Sequence, residues 1–366
     1  MDIDQIILYA MAFGAALGGL DQILGNRLGL GRAFENGFQL LGPVALSMAG
    51  IICLAPLLSA GLGTVVDPVC RVLNIDPGVF GGILAIDMGG YPLSLELARE
   101  EAMGRFSGIL VAAVFGCTVV FTIPVGLSTM GPEDRGDFTQ GILLGFLAIP
   151  AALVAGGLTM GLGLGRILWN SLPILLICLV LAVGILGFPE KMSRGFQRFA
   201  SFIQTLSTLG LTLGAVNYLT GKTWIPGMPP LMEAMETVCG ICIVMLGSMP
   251  LAELFQRLLK NPLARIQAKT GLNGAATTGL MLGLISATPA LAMIPQMDRR
   301  GKVFCSAAFV CAIGVFGAHL AFTMNAQPGM VNALLAAKLT GGILGGGIAL
   351  FATRKMGKGI DKDMLS

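Results

Sequence analysis

The sequence predicts an all-α polytopic membrane protein: about eleven hydrophobic segments in two five-segment repeats, inverted relative to each other, with segments three and nine broken or re-entrant. Three observations carry that expectation. Hydrophobic residues make up 55% of the chain and charged residues 12%, about half the charged share of an ordinary globular protein, and the mean hydropathy is +0.83. Glycine accounts for 53 of 366 residues, and glycine is favoured where membrane helices approach closely. The third observation is a recurrence of Pro and Gly punctuation between the two halves of the chain.

Apolar runs fall at about 6–24, 38–62, 78–98, 106–128, 139–165, 171–188, 199–220, 232–256, 273–296, 303–325 and 333–353. Most have the ~20 residues that a helix needs to cross a ~30 Å hydrocarbon core. The first run follows Asp2 and Asp4 rather than a basic stretch, so it is expected to stay as a helix and not to be cleaved as a signal. Leu17 to Asp21 matches Leu213 to Asn217. Pro56, Pro68 and Arg71 match Pro250, Pro262 and Arg265 at an offset of 194, and Gly82, Pro92 and Gly104 match Gly279, Pro289 and Gly301 at 197. The expected organisation is a first repeat over 1–165, a connecting helix and loop over 166–198, a second repeat over 199–353 and a polar tail over 354–366.

Segment three reads Asp87-Met-Gly89-Gly90-Tyr91-Pro92 at its middle, and segment nine reads Ser286-Ala287-Thr288-Pro289. Breaks of this kind free backbone groups that lipid cannot satisfy, so protein or a water-filled cavity must cover them. Two geometries fit: a re-entrant hairpin whose tip stops at mid-depth, or a Pro-kinked crossing helix. The hairpin reading sorts the loop Lys and Arg residues far more unevenly between the two sides, as the positive-inside rule prefers. It also makes the repeats inverted and places the C-terminus in the cytoplasm.

Ionisable residues within apolar segments need a partner or a cavity. Asp87 stands out, because a carboxylate beside the carbonyl end of a half-helix makes a cation site; a structural cap is the competing role. Glu96 closes the same segment, and Asp21 interrupts segment one opposite its repeat mate Asn217. His319 is the only histidine. It falls opposite Thr122 in the repeat alignment and is suited to accepting a substrate hydroxyl or tuning transport with pH. Thr118, Ser286, Thr288 and Asn325 offer neutral hydrogen bonds, and Tyr91, Phe115 and Phe121 offer cation–π faces. Gly157-x3-Gly161-x3-Gly165 and Gly342-x3-Gly346 present small faces for packing between repeats or in a homodimer.

Several functions are excluded. A net charge of +3 with no basic, aromatic-interleaved cluster gives no nucleic-acid surface. Cys239-Gly-Ile-Cys242 lacks a second CxxC or a nearby His, so no metal is expected. One histidine cannot make HExxH and no nucleophile elbow accompanies it, so neither an enzyme nor a cofactor is expected.

The stretches Asp87 to Leu97, Gln296 to Lys302 and Ala318-His319-Leu320 resemble the ethanolamine utilisation permease family, of the EutH type. Pro43, Pro56, Pro132 to Arg135, Pro189 to Met192 and Trp224 to Gly227 agree, so the resemblance covers essentially the whole chain. The loops after segments one and seven look more compact than in some members. The resemblance implies uptake of ethanolamine, a small protonated amino alcohol, across a bacterial inner membrane to feed its catabolism. For that substrate, the residues read above place the ammonium at Asp87 and the hydroxyl at His319 or Thr122, with Glu96 and Asp21 as second choices. A secondary transporter of another small cation or zwitterion is the alternative.

Overall fold

The computed structural model describes residues 3–84 and 90–354, and among them there is no strand. Helices α1 (Ile3–Ile23), α2 (Leu30–Gln39) and α3 (Leu41–Leu73) are followed by two short helices, α4 (Gly78–Leu84) and α5 (Gly90–Leu97). Next comes a long helix built from α6 (Glu101–Arg105), two π-helical stretches (Phe106–Gly116 and Thr118–Thr122) and α7 (Ile123–Thr129). Then follow α8 (Pro132–Phe146), α9 (Ile149–Thr159), α10 (Leu164–Gly187), α11 (Pro189–Thr220) and α12 (Leu231–Thr270). The chain continues through α13 (Gly274–Ile285), α14 (Ala287–Met293), α15 (Arg299–Ala312), α16 (Ala318–Ala326) and α17 (Val331–Ala352).

Among the described residues, seven helices are long and apolar enough to cross a membrane, or eight if the bent pair α8–α9 counts as one span. The chain is therefore a multi-pass membrane protein with fewer uninterrupted crossings than the eleven apolar runs suggest. The shortfall has a physical cause. Segments three, nine and ten are broken in the middle, and segment five bends by 42° between Phe146 and Ile149. Apolar faces of α1, α10 and α11 remain exposed through Tyr9, Phe13, Leu176, Leu179, Val183 and Leu209, forming the surface that meets lipid. The long helix from Glu101 to Thr129 is mostly buried and forms the centre of the bundle.

The two short-helix pairs are antiparallel hairpins. On α4 and α5, the backbone of Gly78 lies against Ala98 and that of Gly81 against Ser94, with no room for a side chain on either glycine. On α13 and α14, Gly279 faces Met293 and Met297, while Asn273 bonds back to the residues that follow α14. The feet of each hairpin are tied by one side chain. Asp76 accepts the backbone N–H of Gly78 at 2.8 Å on one carboxylate oxygen and those of Arg99 and Glu100, at 3.2 and 3.4 Å, on the other. Asn273 accepts the Ala276 N–H at 2.9 Å and donates to the Gln296 carbonyl at 3.1 Å. Either side chain satisfies helix-end groups that would otherwise be orphaned.

Outer and inner helices meet through glycine. Gly14 of α1 sits on the Gly247 backbone of α12, and Gly210 of α11 sits on the Gly50 backbone of α3. The Ser207 hydroxyl adds bonds to the carbonyls of Leu46 and Ser47 at 2.8 and 2.9 Å. The expected glycine stripe of segment five is not a helix face throughout. Gly161 has a φ of 78° and ends α9 in a left-handed turn, which only glycine adopts without strain. Gly342 and Gly346 pack inside the chain, against Ala312 and Phe304.

Candidate functional site

A cavity of about 300 Å³ opens where three irregular pieces of backbone converge beside helices α3 and α12. That is many times the ~10–15 Å³ that one water requires. The π-helical stretch contributes Phe121, with Cys117 just before it. The hairpin break contributes Ser286, Ala287 and Thr288, the start of α3 contributes Ser47 and Met48, and α12 contributes Met245 and Met249. The third irregular piece is the gap between α15 and α16, where Ile313 and Gly314 join His319 in the wall.

That gap is held open by backbone pairing. Gly314 has a φ of 68°, and its N–H reaches the Gly283 carbonyl at 2.7 Å while the Phe316 N–H reaches Leu284 at 2.8 Å. The C-terminal carbonyls of α13, left over at any helix end, are thus bonded to the turns that separate α15 from α16. Gly317 lies so close to the Ile285 carbonyl that a Cβ there would collide with it. The helix at the matching sequence offset in the first half, Glu101 to Thr129, does not break but widens into π-turns, a form that recurs at functional sites.

His319 is buried at the N-terminal turn of α16, and its Nδ1 lies 3.2 Å from the Ile313 carbonyl. A carbonyl can only accept, so Nδ1 carries the proton. In the neutral ring Nε2 is then an acceptor. The cavity wall thus carries the His319 imidazole, Ser286, Thr288 and the ring of Phe121. Among the described residues lining it there is no carboxylate.

Of the residues singled out from sequence, His319, Ser286, Thr288 and Phe121 meet at this cavity. Asp87 lies outside the described residues. Tyr91 is buried in the bundle, packed edge-to-face on Phe322 at 5.8 Å and donating its hydroxyl to Gln327 at 3.2 Å. Thr122 is buried without a hydrogen-bond partner and is not in the cavity wall. Phe115 belongs to the core, and Thr118 bridges helices by donating to the Val310 carbonyl at 2.7 Å. Asn325 donates to the Thr237 carbonyl at 3.2 Å. Glu96 is exposed on α5.

Asp21 and Asn217 share a role, away from the cavity. Asp21 accepts the N–H groups of Leu28, Leu30 and Gly31 at 2.9, 2.8 and 2.9 Å, capping α2. Asn217 accepts the Trp224 N–H at 3.1 Å. Each thus holds the loop that follows its helix, seven residues downstream, as an anchor near a helix end.

Sequence reasoning passed over two features. Lys338 is fully buried in α17, and its Nζ donates to the Ala113 carbonyl of the π-helical stretch at 2.9 Å. One charge in an apolar run looked like a stray; its depth was the signal. Asp76 and Asn273 were also missed, although the offset of 197 superimposes them. Burial raises the Asp76 carboxyl above the usual carboxylate range, and the three N–H groups it accepts pull it back only in part.

The profile of the family described as "Ethanolamine utilisation protein, EutH" matches residues 3–352. A "Probable ethanolamine permease EutH" of Listeria monocytogenes is 36% identical over 98% of this chain and 96% of its own length. One of Escherichia coli is 34% identical over 97% of each chain, and the "Uncharacterized protein YxeR" of Bacillus subtilis is 35% identical over 96% of each. No solved structure matches. The resemblance read from the two long motifs thus holds across nearly the whole length: the chain belongs to the EutH family of ethanolamine utilisation proteins.

Proposed function

We propose that this protein carries ethanolamine across the bacterial inner membrane and supplies its catabolism in the cytoplasm. Relatives named as probable ethanolamine permeases support the substrate. The observation that carries the site is the cavity where the hairpin break Ser286–Thr288 faces His319 across the α15–α16 gap. There Nε2 of the neutral imidazole accepts the substrate hydroxyl, Ser286 and Thr288 add hydroxyl contacts, and the face of Phe121 attracts the ammonium. Asp87 is the carboxylate proposed to neutralise that ammonium, with Tyr91 as an aromatic contact; Glu96, Thr122, Asp21 and Asn217 are left with structural or surface roles.

The transport cycle is read as alternating access between inverted repeats, residues 1–165 and 199–353, joined by 166–198. Matching order of the helices, a hairpin at the same place in each half and the reciprocal glycine crossings support that reading. The hairpins would enter from opposite sides and meet near mid-depth, the placement that leaves most basic loop residues and the C-terminus in the cytoplasm.

Labelled ethanolamine uptake into proteoliposomes tests this, with Asp87→Asn and His319→Phe alongside the native protein. Saturable uptake lost in Asp87→Asn and weakened in His319→Phe is the expected result. Native protein that folds but takes up none would reject the substrate.

A further inference from the structure

Lys338 is an ammonium on a flexible apolar stem, buried with no exposed surface in a protein whose proposed cargo is also a primary ammonium. Its Nζ rests on the Ala113 carbonyl at 2.9 Å. The titratable side chains facing it are Cys311 of α15, Cys117 between the π-helical stretches and His319 of α16. Among the other elements packed against α17, α9 carries no titratable residue. At the acidic start of α8, Asp134 pairs with Lys302 and Asp137 with Arg299, while Glu133 is exposed and turned back over Gly131. Asp21 of α1 is bonded to the N–H groups that begin α2. Among the described residues, then, no carboxylate neutralises Lys338.

Two of its three titratable neighbours, Cys117 and His319, also line the cavity. Ala113 and His319 share a second, smaller void of about 10 Å³ with Thr323, whose buried hydroxyl has no partner. Lys338 therefore stands one side chain away from the space where a cationic substrate would sit. Two positive charges so close, in a medium of low dielectric, repel far more strongly than in water. The contact with Ala113 does not fix the charge, because a neutral amine still has an N–H to donate to the same carbonyl.

We propose that Lys338 exchanges its proton for the substrate's charge, so that entry of one ethanolammonium is coupled to exit of one proton. This rests on the ethanolamine reading above. With the cavity open to the outside, the ammonium enters and the N–H bond of Lys338 gives its proton to water on that side. With the cavity open to the cytoplasm, the ammonium leaves and Nζ takes a proton from cytoplasmic water. The protonated lysine then returns with the empty protein. The net movement is one ethanolammonium inward and one proton outward, with no net charge, equivalent in its end point to carrying neutral ethanolamine. Lys338 makes the carrier blind to membrane potential.

The test is labelled ethanolamine accumulation in proteoliposomes holding the native chain, under an imposed potassium diffusion potential or an imposed pH gradient. Native accumulation is expected to follow the pH gradient, tenfold per unit with the inside acid, and to ignore the potential. Lys338→Met, which keeps the length and removes the charge, is expected to respond to potential, reaching up to about 50-fold accumulation at about −100 mV. Native accumulation that follows the potential would overturn the exchange, whether or not the variant folds. So would a folded Lys338→Met that stays blind to it. A native protein with no saturable uptake under any gradient overturns the ethanolamine reading itself, and the exchange with it.

Discussion

Asp76 and Asn273 stand at the same point in the two halves of the molecule, and each ties the arm entering its hairpin to the arm leaving it. The chemistry differs. Asp76 draws three backbone N–H groups onto a carboxylate, whereas Asn273 accepts one N–H and donates one to a carbonyl. The carboxylate of the second half is supplied separately, by Asp298, which accepts the Asn273 N–H at 3.0 Å.

Asp76→Asn keeps one acceptor oxygen and turns an amide N–H₂ toward N–H groups, so about 1–3 kcal/mol of stability is expected to go. The difference has a definite pH dependence. The Asp76 carboxyl is raised by burial, so the folded chain holds that proton more tightly than the unfolded chain. Its stabilising contribution is complete below pH ~4 and is lost as pH rises through the raised value. The gap between native and variant melting temperatures should narrow from pH 4 towards 7. A gap that widened would contradict the assignment.

His319→Phe removes the Nε2 acceptor and leaves the cavity apolar at that point. A missing hydrogen bond to a substrate hydroxyl is worth roughly 1–2 kcal/mol, or about 5–30-fold in affinity. The variant should lose that much for ethanolamine and little for ethylamine, which has no hydroxyl. Competition by the two amines against labelled substrate reads the difference, and equal losses for both would move the hydroxyl contact elsewhere.

Lys302 and Asp134 form a largely buried ion pair joining α15 to α8. Removing one partner leaves a charge unpaired, at a cost of about 3–5 kcal/mol, whereas replacing both by apolar residues is often nearly neutral. Asp134→Leu alone should lower the melting temperature sharply, and Asp134→Leu with Lys302→Met should recover most of the loss. A double variant as unstable as the single one would show that the pair does more than neutralise itself.

Gly50→Leu drives a branched side chain into the Ser207 backbone of α11. Overpacking typically costs ~1–3 kcal/mol, and more is expected here because the obstacle is main chain. The readout is the fraction of protein recovered folded in detergent. Gly61→Leu on the same helix, with open space at its Cβ position, should be tolerated.

The all-helical membrane class, the family and both helix breaks were legible in the sequence, because composition and Pro–Gly punctuation report them directly. His319, Ser286, Thr288 and Phe121 were legible as polar or aromatic interruptions of apolar runs, and the fold brings them together. Asp21 misled because an intramembrane carboxylate and a helix cap look alike in one dimension; only the N–H groups of Leu28, Leu30 and Gly31 distinguish them. The break at Ile313–Gly317 was hidden within an apolar run whose glycines could equally mark close packing. Lys338 was hidden for a related reason. Periodicity finds the face of a helix, but not the depth at which one residue lies on it.

The glycine crossings also restrict how the molecule can move. Where Gly14 meets Gly247 and Gly210 meets Gly50, backbone rests on backbone with no side chain between to repack. A slide of one residue along either contact would push a Cβ into a carbonyl. Helix α1 is thereby locked to α12, and α11 to α3, as a frame of two rigid struts. The hairpins are set into that frame by the same device: Gly82 of α4 rests on the Ser107 carbonyl, and Gly317 rests on the Ile285 carbonyl at the end of α13.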